Sequence, residues 1–168
     1  MDVNTYLKKQ IKSMWYLQDS VVKDLTDEQL MLLPPGTVSP IGVIWLHMVN
    51  SEDNFVSTIQ EQESLWDSGG WDGRFSVGTV PDMGEDWTKY QDADLTVELL
   101  QAYTEAVREK TKACLKVTKG ETLDETVKFF SDSDPKASVW VLLIGHTLIH
   151  SGEIAAIKGV LGNKGLPF

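Results

Sequence analysis

Apolar residues recur at intervals of three, four and seven along four long stretches of this chain, and each stretch predicts an amphipathic helix. In the first, residues 3–25, one face carries Val3, Leu7, Ile11, Met14, Val21 and Leu25, while Lys and Gln occupy the other. Thr26-Asp-Glu-Gln-Leu30 predicts one short turn, and Pro34-Pro-Gly36 breaks the chain. Ser39-Pro40 reads as an N-cap followed by proline at the first helical position. It opens a second helix to about Gln62, with Ile41, Ile44, Trp45, Met48, Phe55 and Ile59 inward. The third helix starts at Asp94 or Thr96 and runs to about Thr118, on a stripe of Leu100, Tyr103, Val107, Cys114 and Val117, with Gly120 ending it. Asp134-Pro135 or Ser138 caps the fourth, which extends to Gly162 or Gly165. Its segment Val139-Trp-Val-Leu-Leu-Ile144 is apolar on every side and predicts burial all round, and Ile154, Ile157 and Leu161 continue the inward face.

Four such helices with little strand signal predict an all-α protein, a four-helix bundle in one domain spanning residues 1–168. Periodicity is lost over residues 64–94, where Gly69-Gly70, Gly73, Gly78, Pro81 and Gly84 alternate with acids and with Trp66, Trp71 and Trp87. This predicts a long crossover loop between the second and third helices, lying over an end of the bundle, with room for a short helix or a small strand pair. The connection at residues 121–135 has space for a short extended piece or a turn of helix around Thr122-Leu-Asp-Glu-Thr-Val-Lys-Phe-Phe130.

Composition narrows the function classes. A hydrophobic content of 42% is ordinary for a globular chain. The net charge of −10 disfavours nucleic acid and anionic membranes as partners, since both select Lys/Arg patches. No apolar run is expected to reach the length of about 20 residues that spans a bilayer, and the N-terminus lacks a signal-peptide core. With a single cysteine, Cys114, there is no internal disulfide, and a cytoplasmic setting is expected. Cys114 falls within a helical stripe and reads as a small buried side chain rather than a reactive thiol. The acids of the long loop lack EF-hand spacing and read as solvated. No GxSxG elbow, P-loop or GxGxxG motif is present.

Histidine carries the candidate chemistry. The chain has three, and all fall in core-type helices. His146 and His150, at i and i+4, share one face of the fourth helix, while His47 lies in the most apolar part of the second. Three imidazoles from two facing helices suit one divalent metal ion, with zinc or nickel first among the choices. Three protein ligands leave open positions for water or substrate, the pattern of a catalytic rather than a structural site. Each histidine taken alone also suits a hydrogen-bonded packing role. Glu153, three residues after His150, has four readings: a fourth ligand, an acceptor orienting an imidazole, a general base, or a carboxylate paired with Lys158. Glu52 lies about 140° round the helix from His47, which leaves it an indirect or inter-helix role. Trp45 and Trp140 read as core, and Tyr6, Trp15 and Tyr103 are candidates for the mouth of the site.

Ser39-Pro-Ile-Gly-Val-Ile-Trp-Leu-His47 followed by Glu52, together with His146-x-x-x-His150-x-Gly152-Glu153-Ile154, resembles the paired helix signatures of the DinB-like (YfiT-like) superfamily. The resemblance extends over essentially the whole chain in order and spacing. It implies a four-helix bundle, often a homodimer, with His47, His146 and His150 as metal ligands. It also implies an enzyme acting on a small molecule, with bacillithiol- or mycothiol-dependent transfer or isomerisation as the leading chemistry and metal-assisted hydrolysis behind it. Glu153 stands where the family often has Gln or another polar residue. A non-catalytic metal-binding or stress-response protein and a metal-free interaction module are the rival expectations.

Overall fold

Asp2 starts the first helix by accepting the backbone N–H of Thr5 at 2.9 Å and its hydroxyl at 2.7 Å. The computed structural model describes residues 1–33, 39–80 and 87–167. Four long helices dominate it: α1 (Val3–Val22), α3 (Ile41–Gln60), α6 (Val97–Val117) and α7 (Lys136–Val160). Short turns of helix, α2 (Asp27–Leu30), α4 (Leu65–Ser68) and α5 (Trp71–Arg74), fall between them. Among the described residues the one sheet is a two-residue antiparallel pair, β1 (Thr126–Val127) with β2 (Asp134–Pro135), in which Thr126 faces Pro135. The protein is all-α, as the periodicity predicts. The expected break at Pro34-Pro-Gly36, and Pro81 and Gly84 of the long connection, lie outside the described residues.

Helix ends differ from the sequence reading in instructive ways. α3 begins at Ile41, so Pro40 itself is the flanking residue, extended at φ −59° and ψ 151°, and Ser39 lies one position outside. Pro135 does the same for α7 at φ −59° and ψ 139°. The proline ring sets φ, and an N-terminal position has no helical partner for the missing N–H. α6 stops at Thr118, whose hydroxyl donates to the Cys114 carbonyl at 2.9 Å. Gly120 therefore keeps an ordinary right-handed φ of −52° and is not the terminator. Gly162 does serve this purpose after α7, at φ +81°.

α3 sits between α6 and α7, and α1 packs chiefly on α7. Trp45, Met48, Leu100, Tyr103 and Ile154 meet in one buried apolar cluster, and Ile11, Met14, Val56, Trp140 and Leu143 in another. Each such side chain removed from water is worth about 1.5–3 kcal/mol. Trp45 and Trp140 are core residues, as expected. Tyr103 is fully buried, so it does not line a mouth. Cys114 is buried and free, and burial pushes its thiol up.

The connection from α3 to α6 is more ordered than its glycines suggest. Trp66 stacks on Phe75 at 5.6 Å, and Trp71 lies 4.8 Å from the Tyr103 ring of α6. No strand pair occurs among its described residues; the strand pair belongs to the second connection instead. The fully buried Asp53 of α3 anchors its start. Its carboxylate accepts the Leu65 and Trp66 N–H groups at 3.0 and 2.9 Å, the Tyr103 hydroxyl at 3.0 Å and the Lys110 ammonium at 2.8 Å.

Two expectations for α7 fail. Val139-Trp-Val-Leu-Leu-Ile144 is not buried all round: Val139, Trp140 and Leu143 are, but Val141 is 72% exposed. Ile149 is 70% exposed a little further on. The helix has neighbours on its inner side only, and apolar composition alone does not supply more. Nor is the chain without a span-length apolar helix, because α7 reaches a mean hydropathy of 1.3 over an 18-residue window. The helix packs on α1 and α3, and 44% of that window is buried in the protein.

Lys158 of α7 is buried as well, and its ammonium donates to the Val21 carbonyl at the C-terminal end of α1 at 2.9 Å. A cation at that end satisfies a carbonyl left without a helical partner.

Asp53→Ala is expected to lower the unfolding free energy by about 3–5 kcal/mol, because Lys110 loses the partner of a largely buried ion pair. Urea denaturation monitored by tryptophan fluorescence measures this; a change below about 1 kcal/mol would deny Asp53 its anchoring role.

Candidate metal centre

His47 comes from the middle of α3, and His146 and His150 from successive turns of α7. Because α3 and α7 pack side by side, the residues separated by 99 positions in sequence meet: His47 Nε2 lies 3.1 Å from His146 Nε2. The ring centroids are 5.0 Å apart for His47 with His146, 5.0 Å for His47 with His150, and 4.4 Å for His146 with His150. One nitrogen from each ring lies within 4.8 Å of the other two. The three imidazoles singled out from the sequence thus form one cluster.

The donor set suits a divalent ion. Metal–imidazole bonds of about 2.0–2.1 Å at angles of about 90–110° place neighbouring nitrogens about 2.9–3.4 Å apart, a range that contains the His47–His146 separation. Glu153 Oε2 lies 2.8 Å from His150 Nδ1. A carboxylate there holds the proton on Nδ1 and leaves the Nε2 lone pair for a ligand. The described contact of Glu153 is thus with His150, while Lys158 is engaged at Val21. Burial first, and then the neighbouring His150 and His47, push the His146 imidazole down to about 3, so it is neutral at physiological pH. Its Nδ1 is buried without a hydrogen-bond partner. A neutral imidazole has one lone-pair nitrogen, and with the proton on Nδ1 that lone pair lies on Nε2, the nitrogen facing His47.

Glu52 points elsewhere. It is buried, accepts from the Trp15 indole N–H at 3.1 Å and the Thr111 hydroxyl at 2.7 Å, and so links α3 to α1 and α6. Burial raises its carboxyl despite these bonds. Trp15 is thereby tied into an inter-helix contact, and Tyr6 is half exposed on α1. Two aromatic neighbours escaped the sequence reading as site residues. Phe55 meets His146 edge-on at 5.6 Å, and Phe129 meets Phe55 in the same manner at 5.6 Å. Phe55 lies about two turns beyond His47 on the same helix, a spacing that could have suggested it; Phe129 arrives from a connection whose path no periodicity reports.

A profile of the DinB superfamily matches residues 10–154, most of the chain and all three histidines. The chain belongs to the DinB superfamily. A conserved protein of Enterococcus faecalis has a similar crystal structure at 20% sequence identity and a TM-score of 0.79, over 97% of this chain and 99% of that one. A DinB-like protein from Bacillus cereus is similar at 17% identity and a TM-score of 0.66, over 94% of each chain. At these identities the likeness is one of fold. No curated protein matches the chain.

Two outcomes follow for this DinB-superfamily site. Glu153→Gln is expected to weaken divalent-metal affinity about 10- to 100-fold without unfolding the protein, as measured by competition with a chromophoric chelator. An unchanged affinity would remove Glu153 from the site. For metal-free protein, a folded-state value of about 3 lies below the ordinary 6.5, so the stability due to neutral His146 is complete above 6.5 and is lost as pH falls toward 3. The thermal midpoint of wild type minus that of His146→Gln should therefore shrink over this interval; a constant difference would contradict the burial of a neutral imidazole.

Proposed function

We propose that this chain is a divalent-metal-dependent enzyme in which His47, His146 and His150 hold one ion, zinc or nickel by ligand chemistry. Support for this reading comes from the meeting of the three imidazoles across α3 and α7, with a carboxylate behind one of them. The reaction proposed is transfer of a low-molecular-weight thiol to a small electrophile, with hydrolysis of a small substrate as the weaker option. A divalent ion held there supplies a Lewis acid that lowers the pKa of a thiol or water beside it.

The protein's own contributions can be assigned. His47 and His146 converge two nitrogens from separate helices, and the rigid α3–α7 contact fixes their separation. Glu153 is a positioning residue: it orients the His150 ring and selects its tautomer. Phe55, with Phe129 behind it, screens one side of His146 from water. Three protein donors leave the remaining positions to a small molecule.

The wider architecture is part of the same proposal: one domain built as a four-helix bundle, with the long crossover over residues 64–94, working as a cytoplasmic homodimer on a small molecule. The DinB membership and the acidic charge support it.

Elemental analysis of untagged protein tests the site. About one ion per chain in wild type, lost in His150→Ala, is expected. Metal-loaded protein should then accelerate consumption of bacillithiol or mycothiol by a model electrophile, and His150→Ala should not. No metal after incubation with Zn²⁺ or Ni²⁺ would refute the centre. Bound metal without turnover, together with a large loss of thermal stability on chelation, would favour the rival non-catalytic metal-binding protein.

A further inference from the structure

Beside the histidines, α7 and the segment that follows β1 enclose a groove of about 570 Å³. Its walls are Phe129 and Phe130 on one side and Val141, Leu142 and Ile149 on the other. Gly145 is part of the lining, and a Cβ added there would meet open space. His146 lines the same groove, so the space adjoins the imidazole cluster. Phe130 is 82% exposed, and together with Val141 and Ile149 of α7 it leaves apolar surface in water beside the groove. On a chain of net charge −10, Asp134 alone among the lining residues is ionisable besides His146. The groove therefore matches an uncharged apolar body, and its volume falls in the range of small-molecule sites, about 300–1,000 Å³.

We propose that this groove binds the aliphatic or aromatic body of the substrate, whose polar head reaches the histidine cluster past His146. The inference rests on the proposed metal centre and adds the substrate class: a small molecule with an uncharged apolar chain or ring and one reactive polar end. Phe129 and Phe55 would extend the apolar wall from the groove to His146, since the three rings follow one another at 5.6 Å spacings.

A chain-length series tests it. Zn²⁺-loaded protein is titrated calorimetrically with acetohydroxamate and with straight-chain hydroxamates up to octanohydroxamate. Affinity should rise about fourfold per added methylene over the first several carbons, as for burial of CH₂ groups. Gly145→Leu, which places a side chain in the open space without displacing a neighbour, should abolish the rise and leave acetohydroxamate binding intact. Acetohydroxamate binding with no chain-length dependence in wild type would overturn the groove and leave the metal centre standing. If neither metal nor acetohydroxamate binds, the metal reading fails by itself. The groove is then tested on metal-free protein with n-octanol: shifts of the Val141 and Ile149 methyls and the Gly145 amide support it, and their absence overturns it. A dimer broken by Ile149→Asp, with hydroxamate affinities unaltered in that variant, would assign the face to a second copy of the chain and overturn the proposal.

Discussion

The Asp53 carboxylate is the constraint on which the rest of the structure depends. A fully buried anion is tolerable only when its lone pairs are filled and its charge is balanced, and here two backbone N–H groups, a tyrosine hydroxyl and Lys110 do both. Those partners come from α6 and from the start of the connection that follows α3. One side chain therefore sets the spacing of two helices and the direction in which the chain leaves them. The connection from α3 to α6, once pointed this way, places Trp66, Trp71 and Phe75 against Tyr103.

α3 is buried on nearly every side because it serves two neighbours. Asp53 faces α6, and His47 faces α7, so the same rigid helix couples the structural anchor to the histidine cluster. Rigidity matters at that cluster. The His146 imidazole is drawn from water into a partly apolar setting beside Phe55, where burial first, and then His150 and His47, disfavour its protonation. Three imidazoles held this close form a group that could hold one metal ion.

α7 shows how composition and environment can part company. Its hydropathy is high enough for a membrane span, yet its inner face meets α1 and α3 and its outer face leaves Val141 and Ile149 in the open. Buried Lys158 reaches the end of α1 across the same packing. Hydropathy sums over a helix, whereas burial depends on which neighbours each face has.

The number and placement of the long helices, and the shared face of His146 and His150, were legible in the sequence because they follow from local periodicity and 3.6-residue geometry. The DinB signatures were legible for the same reason: their spacings lie within single helices. Helix ends were less so. Thr118 rather than Gly120 stops α6, because a hydroxyl bond to Cys114 competes with glycine termination. The meeting of His47 with the α7 pair was anticipated from the three core-type histidines and the paired signatures, but its geometry, the choice of His150 as the partner of Glu153, and the wedge of Phe55 and Phe129 against His146 were decided only by the tertiary structure. These are contacts between elements far apart along the chain, or choices among several nearby partners, and no local period carries information about either.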